Sequence, residues 1–220
     1  VMVAGFNGLS GGTHYLTNGG GTLFFSADNG VNGHELWKSN GTAAGTVMVK
    51  DINPGINFSD PRDLVPVGTT VYFGALDGVN GYELWKSDGT PAGTSLVSDI
   101  RSSSSGSSPS SLVNVNGKLF FGADDGVSGR ELWKSDSTGT SLVNDIQLGA
   151  TGASRTNLAS VNGALFFQAT DANYGAELWK SDGTAKGTVR VKDIRTGSAG
   201  AAPSDLVNVG GKLFFTATGV

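Results

Sequence analysis

Carboxylates recur in this chain at fixed spacing, and oxygen donors spaced regularly are what a cation or a sugar would use. Glu35, Glu83, Glu131 and Glu177 each precede a Leu-Trp pair. Six residues before them stand Asn29, Asp77, Asp125 and Asp171, each in or beside a Gly-containing run. If that run is the loop of a hairpin, the paired side chains approach each other. With loop carbonyls they are candidate ligands for Ca2+, which takes six to eight oxygens. The spacing is neither an EF-hand loop nor a nonapeptide calcium repeat. The same residues also fit a plainer role, in which Asp-Gly or Asn-Gly forms a turn and the glutamate accepts loop N–H bonds.

Other groups extend the candidate list. Arg62, Arg101, Arg155 and Arg195 fall in four stretches that vary between repeats, 53–62, 101–110, 147–156 and 195–203, most of them Ser-, Gly- or Ala-rich. Variable loops on a regular scaffold are where binding residues concentrate, so these arginines, with the four glutamates, are candidate ligand-binding residues. Asp51, Asp99, Asp145 and Asp193, each before Ile, fit caps on the same connections. Asp-Gly-Thr turns such as 88–90 fit hydrogen bonds to their own backbone. Catalysis has little to build on. There is no Cys, and His14 and His34 stand in no metal or triad motif. Carboxylates that recur in every copy do not make the single asymmetric site an enzyme needs, so the chain is expected not to be an enzyme.

The elements that position these residues follow from a repeat. Glu-Leu-Trp-Lys-Ser occurs at 35–39, 83–87, 131–135 and 177–181, and the tryptophans are 48, 48 and 46 residues apart. The third copy resolves into four strands. Residues 111–115 (a) lead through Asn116-Gly117, a strong hairpin signal, to the aromatic-rich 118–123 (b). A loop leads to 130–134 (c), and a polar turn to 140–146 (d). No window carries a helical period, and short strands separated by turn signals mean all-β. A tandem all-β unit of this length predicts a β-propeller of four-stranded antiparallel blades. Burial of both blade faces explains the near-continuous apolar strand b and the adjacent Leu and Trp of strand c, which point to opposite faces. Trp37, Trp85, Trp133 and Trp179 are accordingly expected in the structural core, with an exposed sugar-stacking platform as the rival. Pro66 has no N–H to donate, which places strand a at a sheet edge.

Taken in order, the units span about 14–52, 63–100, 111–146 and 157–194, with a partial unit at 204–220. Val1-Met2-Val3 matches Val47-Met48-Val49, so residues 1–6 read as a d strand completing the last unit. That inventory predicts one five-bladed domain over 1–220, closed by strands from both ends and lacking only one c strand. The alternative is a piece of a larger propeller or array, and the opening Val1 suits a mature product or excised fragment.

The repeated Glu-Leu-Trp-Lys-Ser-Asp-Gly-Thr, with Gly-Thr and Val-x-Asp-Ile downstream, resembles the bacterial ELWxxDGT repeat family over residues 22–220. Asn40 replaces Asp in the first copy, and the third lacks the full Asp-Gly-Thr turn. The resemblance implies secreted or cell-surface repeat proteins with adhesive or structural roles, and no known catalytic activity. By size and unit length the chain is also similar to five-bladed lectins of the tachylectin type. Composition agrees with an extended β protein. Gly is 35 of 220 residues, above the usual ~7%, and lies beside turn-forming residues. The net charge of −4, without a basic block, excludes an electrostatic nucleic-acid binder. Apolar runs are too short for membrane insertion by a helix. The expected function is a non-catalytic extracellular or cell-surface module that binds or adheres, through multivalent carbohydrate recognition. The alternative is a structural building block that self-assembles through the incomplete fifth blade. No cofactor is expected, with Ca2+ the one candidate. The partners expected are a glycan or another surface component.

Overall fold

The computed structural model describes residues 13–149 and 152–219, leaving aside the side chains of 154–156. Two compact units divide after Ser108. Both consist of antiparallel sheets, and no helix occurs among the described residues. The strand expected at Val1–Val3 lies outside the described residues.

In the first unit, β1 (His14–Gly19), β2 (Thr22–Asp28), β3 (His34–Ser39) and β4 (Val47–Lys50) form one sheet in sequence order. A second sheet follows from β5 (Arg62–Val67), β6 (Thr70–Leu76), β7 (Tyr82–Ser87) and β8 (Ser95–Ser98). The second unit repeats the pattern with β9 (Ser110–Val115), β10 (Lys118–Asp124), β11 (Arg130–Asp136) and β12 (Gly139–Asn144). Its next sheet is β13 (Ser154–Val161), β14 (Ala164–Asp171), β15 (Gly175–Ser181) and β16 (Val189–Lys192), and a pair, β17 (Ser204–Val209) and β18 (Lys212–Thr216), comes last. These are the four-stranded meanders of a propeller-like arrangement, as the sequence predicts. Strand-a neighbours sit side by side within each unit, β1 by β5, β9 by β13 and β13 by β17.

Local chemistry sets these elements. Asn116 and Gly117 both adopt positive φ, 51° and 83°, which gives the tight β9–β10 turn the twist of its strands. Pro66 lies on edge strand β5 opposite Val71, where its missing N–H breaks no ladder. Strands β1, β5, β9 and β17 each carry a bulge at the second residue. Tyr15, Asp63, Ser111 and Asp205 have φ of 54–56°, and the register slips beside each. The slip sets His14, Arg62 and Ser110 opposite Ser26, Gly74 and Gly122.

Neighbouring sheets bury their faces on one another. In the first unit Phe24, Leu36, Val49 and Ile52 meet Val71, Phe73 and Trp85. The Trp85 residue is 7% exposed. An aromatic ring buries roughly 150–250 Å², which at 25 cal/mol per Å² is about 4–6 kcal/mol as an upper figure. Two lysines tie this interface at its rim. Lys38 Nζ donates to the Gly89 carbonyl at 2.7 Å, and Lys50 Nζ to that of Thr94 at 2.8 Å. The second unit packs Val115, Phe120, Leu132 and Val143 against Leu165, Phe167 and Ala169, with Trp179 partly buried beside them. Trp37 and Trp133 are also partly buried.

Candidate functional site

The four glutamates are spent on backbone. Glu35, Glu83, Glu131 and Glu177 are 0% exposed. Each lies opposite an alanine of strand b (Ala27, Ala75, Ala123, Ala169), whose small side chain leaves room for a carboxylate. Their oxygens accept from the loop between strand d and the next strand a. Glu35 takes the N–H of Ile52 at 2.9 Å and of Ser59 at 3.1 Å, and the Ser59 hydroxyl at 2.6 Å. Glu83 takes the N–H groups of Arg101 and Ser107 and the Ser107 hydroxyl. Glu131 takes Ala153 N–H at 2.7 Å, with longer bonds from Ile146 and Gln147. Glu177 takes Ile194, Arg195 and Ala201 at 3.0–3.2 Å. Burial pushes Glu35 and Glu131 up to about 7, against the pull of these donors. Asp51 and Asp145 add a smaller push in the same direction. Burial likewise raises Glu83.

These bonds correct the expected pairing with Asn29, Asp77, Asp125 and Asp171. Those four serve their own loops. Asp77 Oδ1 accepts from the N–H groups of Val79 and Asn80 at 2.9 and 2.7 Å. Asn29, Asp125 and Asp171 each accept from the N–H groups two and three residues on. Burial pushes Asp77 and Asp125 up, but the loop N–H bonds outweigh it and hold both carboxyls below the usual range. No group of three or more His, Asp or Glu side chains gathers as metal ligands among the described residues.

A backbone contact locks the two loops of each unit together. A Cβ on Gly81 would stand 2.4 Å from Gly106 N and 2.6 Å from Ser104 O, and Gly33, Gly152 and Gly175 meet backbone as closely. The Asp-Gly-Thr turns bond internally as expected, with Asp88 Oδ1 accepting from Thr90 N–H and hydroxyl at 2.8 and 2.7 Å.

The arginines separate. Arg101 and Arg195 stay in the connecting loops, where their N–H groups hold Glu83 and Glu177. Arg62 and Arg155 correct the loop expectation, since Arg62 opens β5 and Arg155 lies in β13. Arg62 belongs to a set that the repeat reading passes over. The first residue of strand c reaches across strand b to the first residue of strand a, and both vary between units. In the first sheet these are His34 and His14, with ring centroids 5.9 Å apart. In the second they are Tyr82 and Arg62, where the Tyr82 ring lies across Gly74 and its hydroxyl donates to Gly74 O at 3.1 Å. In the third, Arg130 donates to Ser110 Oγ and, at 3.2 Å, to Gly122 O.

In the first unit the two pairs merge into one polar and aromatic cluster. The His34 carbonyl accepts from the N–H groups of Ser59 and Asp60 at 3.0 Å each, which brings that loop to the histidines. Asp60 pairs with Arg62, and that bond raises the guanidinium pKa further. The Tyr82 hydroxyl also reaches Asp60 O at 3.3 Å, and burial pushes its pKa up. Tyr15, 42% exposed, lies beside His14 with ring centroids 6.3 Å apart, and Phe58 is exposed on the adjoining loop. The cluster offers open aromatic faces, an ion pair and two imidazoles. That set can stack on a flat apolar face and hydrogen-bond hydroxyls around it.

No family model matches the sequence, and no curated protein does. Solved structures share the fold. A puromycin-hydrolysing peptidase of Mycobacterium tuberculosis matches 93% of this chain at 11% identity, with a TM-score of 0.54. An acylaminoacyl peptidase of Pyrococcus horikoshii matches 81% at 12% identity and 0.51. A puromycin hydrolase matches 89% at 12% identity and 0.51. The chain spans 26–33% of those proteins' lengths. The part matched is their β-propeller domain rather than the catalytic one.

Proposed function

We propose that this chain is a non-catalytic propeller module that binds carbohydrate, at the extracellular face of a cell or on a secreted protein, as expected of the ELWxxDGT kind. The observation that carries the reading is the cluster of His14, Tyr15, His34, Asp60 and Arg62, exposed in part and assembled from two neighbouring sheets. A pyranose offers an apolar face to Tyr15 and hydroxyls to Arg62 and Asp60. Individual sites of this kind are weak and gain from multivalent display. The buried glutamates support the absence of catalysis, because their oxygens are occupied by loop N–H groups.

A glycan array followed by titration with free sugar tests the reading. Tyr15→Ala and Arg62→Ala are each expected to weaken binding by about tenfold, as truncations at a binding hot spot do. A blank array with correctly folded protein, or affinity unchanged in both variants, refutes the sugar site. Hydrolysis of peptide or ester substrates above background refutes the non-catalytic reading.

A further inference from the structure

We propose that the tips of two loops in the first unit, carrying Ile56, Phe58 and Val79, form a docking surface for a basic and apolar segment of a partner protein, one that sets aliphatic side chains among Lys or Arg. The inference goes beyond the sugar reading and does not depend on it. The loops belong to one packed block, in which the connection from β4 to β5 lies between the β2–β3 loop and the β6–β7 loop. On one side a Cβ on Gly33 would stand 2.5 Å from Asn57 O and 3.1 Å from Phe58 Cα, and Asn32 Nδ2 donates to Asp51 Oδ2 at 2.9 Å. On the other a Cβ on Gly78 would stand 2.8 Å from Asn53 Oδ1, and the Leu76 N–H donates to Ser59 O at 2.8 Å. Asn53 Nδ2 closes the connection on itself through Phe58 O at 3.0 Å. Ile56, 87% exposed, and Phe58, 55%, therefore project from a braced loop that has neighbours on both flanks. Val79, 76% exposed, tips the β6–β7 loop of the same block.

None of the three side chains belongs to the core, and the loops do not need them to be apolar. Asp77 holds the N–H groups of Val79 and Asn80 whatever side chain follows. Yet valine recurs at this tip as Val31, Val79 and Val127, and each is exposed. The turns at the other end of the same two sheets are different. Residues 18–21, 40–46, 68–69 and 88–94 are all Asn, Asp, Gly, Thr, Ala or Pro. Large apolar side chains held out in water on one set of loops and not on the other mark an interaction surface. Charge selects its partner. Segments 28–34, 51–62 and 74–82 hold Asp28, Asp51, Asp60 and Asp77 and no lysine, and their one arginine, Arg62, is paired with Asp60. Asp28, Asp51 and Asp77 remain without a countercharge from these loops. A second copy of this end, or an anionic lipid surface, would meet like charge, which opposes association. A segment with Lys or Arg between its aliphatic residues complements both the tips and the carboxylates.

The test titrates the full 220-residue protein with a dye-labelled peptide of leucine and lysine, its leucines at helical spacing, and reads fluorescence anisotropy. Two control peptides replace every lysine with glutamate or every leucine with serine. Saturable binding of the leucine–lysine peptide is expected, falling as salt rises, with both controls at least about tenfold weaker. Ile56→Ser and Val79→Ser, with circular dichroism unchanged, are each expected to weaken that binding about tenfold, as truncations at a hot spot do. Val47→Ser, exposed at the start of β4 beside the 40–46 turn, is expected to leave it unchanged. The proposal is overturned by no binding at millimolar peptide, by equal binding of the glutamate peptide, or by Ile56→Ser and Val79→Ser that bind as the wild type does. Sedimentation with phosphatidylcholine vesicles that Ile56→Ser abolishes would replace the protein partner with a lipid surface. A dimer that Ile56→Ser dissociates would replace it with a second copy. Glycan binding that survives in Ile56→Ser and Val79→Ser would keep the sugar reading whatever the peptide does.

Discussion

Replacing Glu131 with glutamine separates two contributions that the buried carboxyl makes to stability, and pH tells them apart. Burial holds Glu131 at about 7, above its ordinary 4.5, with Asp145 adding to the push. A raised carboxyl takes up a proton on folding. Its contribution is therefore fully present below pH 4.5 and is lost as pH rises through about 7. At 1.36 kcal/mol per pH unit, the interval from 4.5 to 7 sets an upper figure of about 3 kcal/mol. Discounted for solvent screening near the chain connections, about 1–3 kcal/mol is expected. Glutamine cannot titrate. It keeps one acceptor for Ala153 and Gln147 but turns an NH2 group towards the N–H of Ile146. That mismatch costs about 1–2 kcal/mol at every pH. The wild type should then lose stability between about pH 5 and pH 8, while Glu131→Gln should lose less over that interval, since Glu35, also held at about 7, still titrates there; the variant should be less stable at the acid end and level or better at the alkaline end. The carboxyls held low, Asp77, Asp88, Asp125, Asp136 and Asp182, have ordinary values of 3.8 and titrate below this window. Urea unfolding followed by tryptophan fluorescence at both pH values gives the four free energies needed. Parallel pH slopes in the two proteins, or a wild type that gains stability towards pH 8, would refute the argument that burial dominates this carboxyl.

Two further substitutions probe the same loop. Ala153→Ser supplies Glu131 with the hydroxyl that Ser59 and Ser107 give to Glu35 and Glu83. A hydrogen bond to a charged group is worth about 1.5–3 kcal/mol, so urea unfolding near pH 8 should show the variant more stable, with the gain shrinking towards pH 5. Gly81→Ala places a methyl in the backbone of the neighbouring loop at positive φ. It should cost about 3 kcal/mol, from about 1–2 for the left-handed conformation and the rest from the clash. Gly117→Ala has positive φ but open space around it, so thermal melts should show only the smaller share. Equal losses in the two glycine variants would mean that the loop contact carries no energy.

Strands were legible in the sequence because each carries its own signal. Strand b is a short aromatic run, Asn116-Gly117 is a turn with positive φ at both residues, and Pro66 marks an edge. The role of the glutamates was half legible. Their use as acceptors for loop N–H groups was open to reading, but the loop was not. Proximity in sequence pointed to the b–c loop, whereas the donors lie 15–24 residues downstream, across the end of the sheet. One signal was there to find. A connection without regular structure must still satisfy its buried N–H groups, and every Glu faces an Ala that makes room for it.

The paired positions at the start of strands a and c were not legible for a deeper reason. Aligning repeats rewards what is constant, and the constant residues here build the blade. Immediately before the invariant Glu-Leu-Trp stand His34, Tyr82, Arg130 and Ala176, four different chemistries at one position. Their partners His14, Arg62 and Ser110 vary in step, because the bulge in strand a turns them towards the same end of the sheet. A bulge of one residue cannot be read from apolar alternation, since it shifts register without changing the pattern that follows. The consequence is a division of labour along a single strand. The second residue of strand c is fixed by the loop it must hold, and the third and fourth by the neighbouring blades. The first is free of all three demands, so it is the place where one unit can acquire a recognition surface that its siblings lack without any loss of fold.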